Sequence, residues 1–215
     1  MKKESLVNSI TRLFCVNNSF IVNMICAFTD KENLYLILDY LEGGDLRFHI
    51  SRQKKFTEVE TSIYYSVMIE FMTVCIISAL EYIHDNGIIH RDVKPENLVF
   101  DSRGYLKLSD FGIARIWNPN NGHETSGTPG YMGENMDNLI APEVLCKNNY
   151  GVAVDYFALG VIVYECMMGR RPYRGKTRKE IRDEMLAKQI QIKKEEVPVN
   201  WSLDAASFAN KVTYS

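Results

Sequence analysis

One segment limits what this chain can fold into more than any other. Residues 152–169, VAVDYFALGVIVYECMMG, are apolar on nearly every side of a helix, with Asp155 set among them. A helix without a polar stripe is buried around its whole circumference. The carboxylate of Asp155 is expensive there unless other parts of the chain bond it. The segment therefore predicts a buried central helix, and the rest of the chain must supply a shell around it and partners for Asp155. With 215 residues, 46% of them hydrophobic, there is material for such a core in one large domain or two small ones.

The flanking sequence predicts the other elements. Residues 4–16 read as a short helix. FIVNMICAFTD (20–30) and NLYLILDYL (33–41) are rich in β-formers and are separated by the turn-like Asp30-Lys31-Glu32-Asn33, which predicts an antiparallel hairpin. Gly43-Gly44 breaks that pattern, and Asp45 is placed to N-cap a short helix to about Arg52. Thr57 and Glu60 form a capping-box pair at the head of a long helix to about His84, which Asn86-Gly87 ends. Short strands follow around 97–101 and 104–109, then a polar loop over 116–130, the central helix, a charged amphipathic helix over 177–190 and a last one over 202–211. A small strand portion followed by a mostly helical body is an α+β arrangement.

Composition excludes several classes of function. Lys and Arg number 25 against 27 Asp and Glu, a net charge of -2, so no global field draws the chain to nucleic acid or anionic lipid. Cys15, Cys26, Cys75, Cys146 and Cys166 are odd in number, widely spaced and without a C-x-x-C pair, which argues against a disulfide framework and against a zinc site. A reducing, intracellular setting is expected. Lys2 and Lys3 are followed by no apolar run, so no signal peptide is expected. Residues 63–80, with Glu70 as the sole charge, are apolar enough to suggest a membrane span; a mid-segment carboxylate favours a helix buried in a globular core.

Three motifs stand in order: His90-Arg91-Asp92-Val93-Lys94-Pro95-Glu96-Asn97, then Asp110-Phe111-Gly112 18 positions after Asp92, then Ala141-Pro142-Glu143. Taken singly, Asp110 reads as a turn residue before Gly112, and Asp92 as a residue capping a backbone turn. Taken together, their order and spacing resemble the catalytic loop, the metal-binding loop and the end of the activation segment of the eukaryotic protein kinases. The resemblance covers roughly residues 4–212. Lys94 and the Gly127-Thr128-Pro129-x-Tyr131 run point to the Ser/Thr branch, and LDYLEGGDLRFHI and VDYFALGVIVYE are similar to the AGC group.

The resemblance implies a kinase-like fold: a remnant of the N-lobe with the hinge start over 1–41, and a mostly helical C-lobe over 42–215. It implies ATP and Mg²⁺ as cofactors and Ser/Thr-bearing proteins as substrates. Asp92 would orient the acceptor hydroxyl and take its proton, and Lys94 would reach the transferring phosphate. Asn97 and Asp110 would offer Mg²⁺ hard oxygen ligands, with Phe111 packed in the core to fix Asp110. In the hinge, backbone groups of Asp39 and Leu41 would bond the adenine, with Leu38 as the gate behind it. Asp45 would meet the ribose or a basic substrate residue, and Val99 would line the floor. His90 is expected to pack in the core, and Asp155 to anchor the catalytic-loop backbone. Arg91 needs a negative partner; Glu124, three residues before Gly127, stands where a phosphosite often lies in AGC relatives, and reads either as a built-in substitute for the phosphate or as a solvated loop glutamate. Thr125 and Ser126 would be candidate phosphosites in the same segment.

The sequence also departs from the pattern. No G-x-G and no V-A-I-K occur in it, so the chain is expected to begin inside the family's third helix and to lack the roof over the nucleotide. Glu143 normally pairs with an arginine beyond the last helix, and none follows Trp201; a buried carboxylate left alone costs about 3–5 kcal/mol. Between Thr57 and Glu81 there are roughly eight residues more than the pattern needs, about 2.2 helical turns. The expectation is that some of them, near residues 64–73, leave the helix. Residues 133–140, GENMDNLI, form a second such segment of eight. Both suggest retained introns or a faulty gene model. Three functions follow: a Ser/Thr kinase, impaired or inactive as this chain alone; a pseudokinase-like binding module; and a nonfunctional fragment of a kinase gene.

Overall fold

The computed structural model describes residues 18–53, 59–117, 151–175, 177–199 and 201–213. The expected helix over 4–16, the Thr57–Glu60 capping box, most of the loop over 116–130 and the segment 133–140 lie outside the described residues.

Strands β1 (Met24–Thr29) and β2 (Leu34–Leu38) pair antiparallel as expected, with Phe28 opposite Tyr35 and an irregularity between Met24 and Cys26. Asp30 sets the turn. Its Oδ1 accepts from the N–H groups of Glu32 (2.7 Å) and Asn33 (2.6 Å), and its Oδ2 from the Tyr35 hydroxyl (2.8 Å). The Asn33 N–H foremost, then the Tyr35 hydroxyl, hold the Asp30 carboxyl down at about 2.

Helix α1 (Leu46–Gln53) begins where Asp45 Oδ1 accepts from the Phe48 N–H at 2.7 Å, the cap expected from sequence. Just before it, Gly43 donates to the Phe100 carbonyl at 3.0 Å. A Cβ on Gly43 would lie 2.4 Å from the Phe100 Cβ, so only glycine fits this approach.

Helix α2 (Val59–Asp85) runs unbroken for 27 residues, about 40 Å. This corrects the expectation that residues near 64–73 leave it. A helix satisfies its backbone within itself, so extra turns need no bulge; they shift which face meets the core instead. Ala79, Leu80 and Ile83 are fully buried, while Val67 is 61% exposed and Val74 58%. Val67–Asp85 is apolar enough to cross a membrane, but its burial at the C-terminal end is that of a core helix. Gly87, with φ +69°, ends it, donating to the His84 carbonyl at 2.9 Å.

Strand β3 (Ile88–Ile89) pairs with β6 (Arg115–Ile116), and β4 (Leu98–Phe100) with β5 (Leu106–Leu108). Ile21 bridges to Leu108, which ties the chain ahead of the hairpin to this second pair. Helix α3 (Ala153–Met168) is the predicted central helix, ended by Gly169 at φ +63°. Helix α4 (Arg178–Ala187) is capped by Thr177, and α5 (Leu203–Val212) by Ser202. Gly160 lets α5 lie against α3: a Cβ there would stand 2.5 Å from the Val212 and Thr213 Cγ2 atoms. One core cluster joins Leu46, Leu80, Leu98, Leu108 and Leu159; a second, around Phe157, Val161, Tyr173 and Met185, lies on the other side of α3. The fold is α+β, a helical body with small two-stranded sheets.

Candidate active site

The buried carboxylate of Asp155, 1% exposed, finds three donors. Its Oδ2 accepts from the His90 N–H (2.9 Å) and lies 2.8 Å from His84 Nε2; its Oδ1 accepts from the Arg91 N–H (2.8 Å). Asp155 thus holds the backbone of the 90–97 segment against α3. Arg91 has φ +67°, a conformation that costs a non-glycine residue free energy and persists only where its surroundings impose it. The two backbone bonds to Asp155 are what impose it.

His90 is completely buried and packs edge-on against Phe111, ring centroids 4.9 Å apart. Its Nδ1 accepts from the Asp92 N–H (3.3 Å), so Nε2 carries the proton and donates to the Ser109 carbonyl (3.0 Å). Burial pushes its pKa below the ordinary imidazole value, against the opposing charge of Asp155. His90 is therefore a neutral strut between the 90–97 segment and the 109–112 turn, as its core-packing expectation has it.

Beyond this strut the polar side chains converge. Asp92 Oδ2 accepts from Lys94 Nζ at 2.7 Å and from Asn97 Nδ2 at 2.9 Å, and the same amide reaches the Asp92 carbonyl at 2.9 Å. Among the described residues Oδ1 of Asp92 has no partner, so one carboxylate oxygen is fixed and the other is open. Pro95–Asn97 form a single 3-10 turn, which turns Asn97 back beneath Asp92. The Asn97 carbonyl accepts from the Ser109 N–H (2.8 Å) and hydroxyl (2.9 Å), which brings Asp110 beside it. Asp110 is exposed with φ +60°, and its Oδ1 accepts from the Gly112 N–H at 3.1 Å; Phe111 is 2% exposed in the core. The fold so joins Asp92, Lys94 and Asn97 by hydrogen bonds and places Asp110 next in the chain to Ser109, which is bonded to Asn97.

Of the expected nucleotide-side residues, Leu38, Asp39 and Leu41 lie at the hairpin's base. Leu38 ends β2. Asp39 is clasped to Asn23: its N–H donates to the Asn23 carbonyl (3.0 Å), and its Oδ2 accepts from the Asn23 N–H and Nδ2 (both 3.1 Å). Among the described residues neither the Asp39 carbonyl nor the Leu41 N–H has a backbone partner. Asp45 forms an antiparallel bridge with Val99 on β4, so these two are adjacent, and the Asp45 carboxylate is committed to capping α1.

Arg91 turns its guanidinium Nε onto the Ile113 carbonyl at 2.7 Å, and its Nη2 reaches the same oxygen. Glu124, Thr125, Ser126, Thr128 and Glu143 lie outside the described residues.

Two sets of residues were not singled out from sequence. His84 is the first, a partner that Asp155 demanded without identifying. The second is a partly buried ion group around the buried Glu165. Arg47 on α1 bonds Glu96 Oε1 (2.6 Å) and is bidentate to Glu165 (2.7 and 3.1 Å), and Arg171 lies 3.6 Å from Glu165. Burial opposes the Arg47 cation, but the hydrogen bonds and charges of Glu165 and Glu96 outweigh it and raise its pKa. The signal was present: Glu165 lies in the same apolar segment as Asp155, and the same reasoning requires a partner for it.

A protein-family model described as "Protein kinase domain" matches residues 1–213. The chain is 38% identical over 164 residues to "Protein kinase 2" of Dictyostelium discoideum, covering 76% of this chain and 31% of that protein. It is 36% identical over 180 residues to "Serine/threonine-protein kinase Sgk1" of Rattus norvegicus, covering 83% and 38%. A "cAMP-dependent protein kinase, catalytic subunit-like" of Caenorhabditis elegans is 32% identical over 200 residues, covering 93% and 45%. The chain spans less than half the length of these three relatives. With the family matched over almost its whole length, and with relatives of the cAMP-dependent and Sgk1 type, the chain belongs to the protein kinase domain family.

Proposed function

We propose that these residues serve transfer of a phosphoryl group from ATP to Ser or Thr of protein substrates. The observation that carries the reading is the Asp92 carboxylate, one oxygen held by Lys94 and Asn97 and the other open. The open Oδ1 orients an acceptor hydroxyl and takes its proton as the new bond forms. Lys94, beside Asp92, places a positive charge where negative charge gathers on the group in flight. Asp155, through the His90 and Arg91 N–H groups, keeps Asp92 in this pose.

Kinase domains use ATP and usually Mg²⁺, which supply the phosphoryl group and neutralise charge on it. The residues present fit both. Asn97 spends its NH₂ on Asp92 and keeps its amide oxygen, and Asp110 keeps carboxylate oxygen beside it; Mg²⁺ takes one or two such hard ligands and completes its shell with phosphate and water. The Asp39 carbonyl and Leu41 N–H are a donor–acceptor pair suited to an adenine edge, with Leu38 behind it and Val99 beneath.

The 215 residues hold neither a G-x-G loop nor a V-A-I-K lysine. By itself this chain is expected to bind MgATP weakly or not at all and to transfer no measurable phosphate, and that same feature favours a second reading, a binding module without catalysis. Phosphorylation of a Ser-containing peptide, followed with labelled ATP, separates the two. A version of the protein that carries such a loop and lysine should transfer phosphate, and Asp92→Asn in it should abolish transfer while leaving the nucleotide-induced thermal shift. If that version is inactive, or its transfer survives Asp92→Asn, the kinase reading is overturned. Robust transfer by the 215-residue chain overturns its impairment. An intracellular location belongs to the same proposal.

A further inference from the structure

A groove of about 600 Å³ runs along α5, far in sequence from the residues above. Ile192, Val197, Leu203 and Ala206 give it apolar walls, and Lys194 and Lys211 line it as well. Its walls are pinned together. The Asn210 side chain accepts from the Ile192 N–H at 2.7 Å and donates back to the Ile192 carbonyl at 2.9 Å, which fixes α5 against the strand-like segment before the 3-10 turn Lys194–Glu196. Ile192 and Ala206 form a buried floor, while Leu203 is 51% exposed at the edge and Val199, two residues on from Val197, is 99% exposed.

The charged side chains that line this groove have one sign, while the exposed Glu195, Glu196 and Asp204 flank lining residues along the chain. Both titratable groups that line it are lysines, carried by separate elements, and among the described residues neither ammonium is paired with a carboxylate. The Glu196 carboxylate is turned back onto the Lys193 N–H at 2.9 Å and makes no ion pair with either lysine. The volume lies in the range of sites that take a small ligand or a few side chains. An occupant that matches these walls brings apolar side chains for the floor and carboxylates for the two lysines. The groove is open along its length, which suits a peptide that shields its own backbone better than it suits a bare acyl chain.

We propose that this groove is a docking site for a short acidic, apolar peptide segment of a partner protein, with its apolar side chains on Ile192, Val197 and Ala206 and carboxylates on Lys194 and Lys211. Such a site lies apart from Asp92 and would hold a partner whether or not phosphoryl transfer occurs, so its fate is independent of the kinase reading.

The test is selection from a random ten-residue peptide display library on the purified chain, followed by fluorescence anisotropy of the enriched peptide. Enriched sequences should combine at least two apolar residues with at least two carboxylates. The double variant Lys194→Glu/Lys211→Glu should weaken that peptide about tenfold or more, with the circular dichroism spectrum unchanged, since both side chains are exposed. Ser207→Trp, which narrows the groove without changing its charge, should weaken it as well. Enrichment of basic or purely polar sequences, enrichment of none, an affinity that ignores both variants, or displacement of the peptide by micromolar decanoate each overturns the proposal.

Discussion

Asp155 and Ile25 mark opposite ends of this molecule. Asp155 is a charged group 1% exposed; Ile25 is an apolar one 67% exposed. Around Asp155 the helix residue His84 and the backbone of His90 and Arg91 supply the carboxylate's partners, and core clusters lie on both sides of its helix. In the β1–β2 hairpin the backbone pairing runs from Met24 to Thr29 with one irregularity at Ile25, but Ile25, Phe28, Leu36 and Ile37 remain more than a third exposed, on both faces of the ribbon. Hydrogen-bonded pairing and side-chain burial are thus separate achievements. A hairpin can hold its register through a turn such as Asp30–Asn33 and still contribute little to the core, and a two-stranded ribbon is marginal unless something packs on it. The helical body carries the stability; the hairpin presents the residues at its base, Leu38 to Leu41.

The contrast breaks first at Asp155. Asp155→Ala removes the acceptor of two backbone N–H groups and of His84 in a dry site, and should cost about 3–5 kcal/mol of folding stability, read by urea denaturation. It should also release Arg91 from its left-handed conformation. A loss below about 1 kcal/mol would show that the carboxylate is not the hub of the helical body.

Packing gives the next test. Leu159 is fully buried at the centre of α3, and Leu159→Ala should cost about 2–5 kcal/mol. Phe28→Ala in the hairpin removes a ring 51% exposed and stacked on Tyr35 at 4.9 Å, and should cost about 1 kcal/mol or less. Equal costs would mean that the hairpin is as integral to the fold as the core.

Sequence reasoning met the same divide. The hairpin, α1 and the three later helices are legible because their signals are local: a turn of polar residues, an Asp45 cap, a charged or apolar helical pattern, a glycine at a helix end. Strands β3 and β6, two residues each, carry no period and exist only through each other. Helix α2 was misjudged because counting residues against a pattern cannot tell an added loop from an added turn. In the site, the grouping of Asp92, Lys94, Asn97 and Asp110 was visible as motifs, since 3-10 and turn geometry keep them close along the chain. The demand of Asp155 for partners was visible too, but its answer included His84, 71 positions away. Arg47 meets Glu165 across 118 positions, a contact that only the packed helices create.

Proton linkage sharpens the comparison at smaller scale. In the unfolded chain His90 titrates near 6.5; in the fold, burial holds it lower. Below about 6.5 the unfolded chain binds the extra proton and the folded one does not, so stability falls as the pH drops through that value and is unaffected by this group above it. The slope from one such group is at most about 1.4 kcal/mol per pH unit. Urea midpoints at pH 7.5 and 5.5 should differ in this direction, and the difference should shrink in His90→Phe. An identical difference in the variant would assign the slope to other groups.

The smallest effect belongs to Ile25. Its side chain is two-thirds in water, so Ile25→Ser gives up little burial, and the ladder through β2 is made by the backbone. Global stability should move by no more than about 0.5 kcal/mol. The change that matters is local. Serine lowers β-propensity on a ribbon with little packing to hold it, so amide exchange in Met24–Thr29 should quicken while Leu80, Leu98 and Leu159 keep their protection. Limited proteolysis of the variant should cut within the hairpin first and leave a resistant body beginning near residue 42. If exchange at Leu159 quickens in step with the hairpin, the two regions unfold as one unit, and the division between an exposed ribbon and a self-sufficient core is wrong.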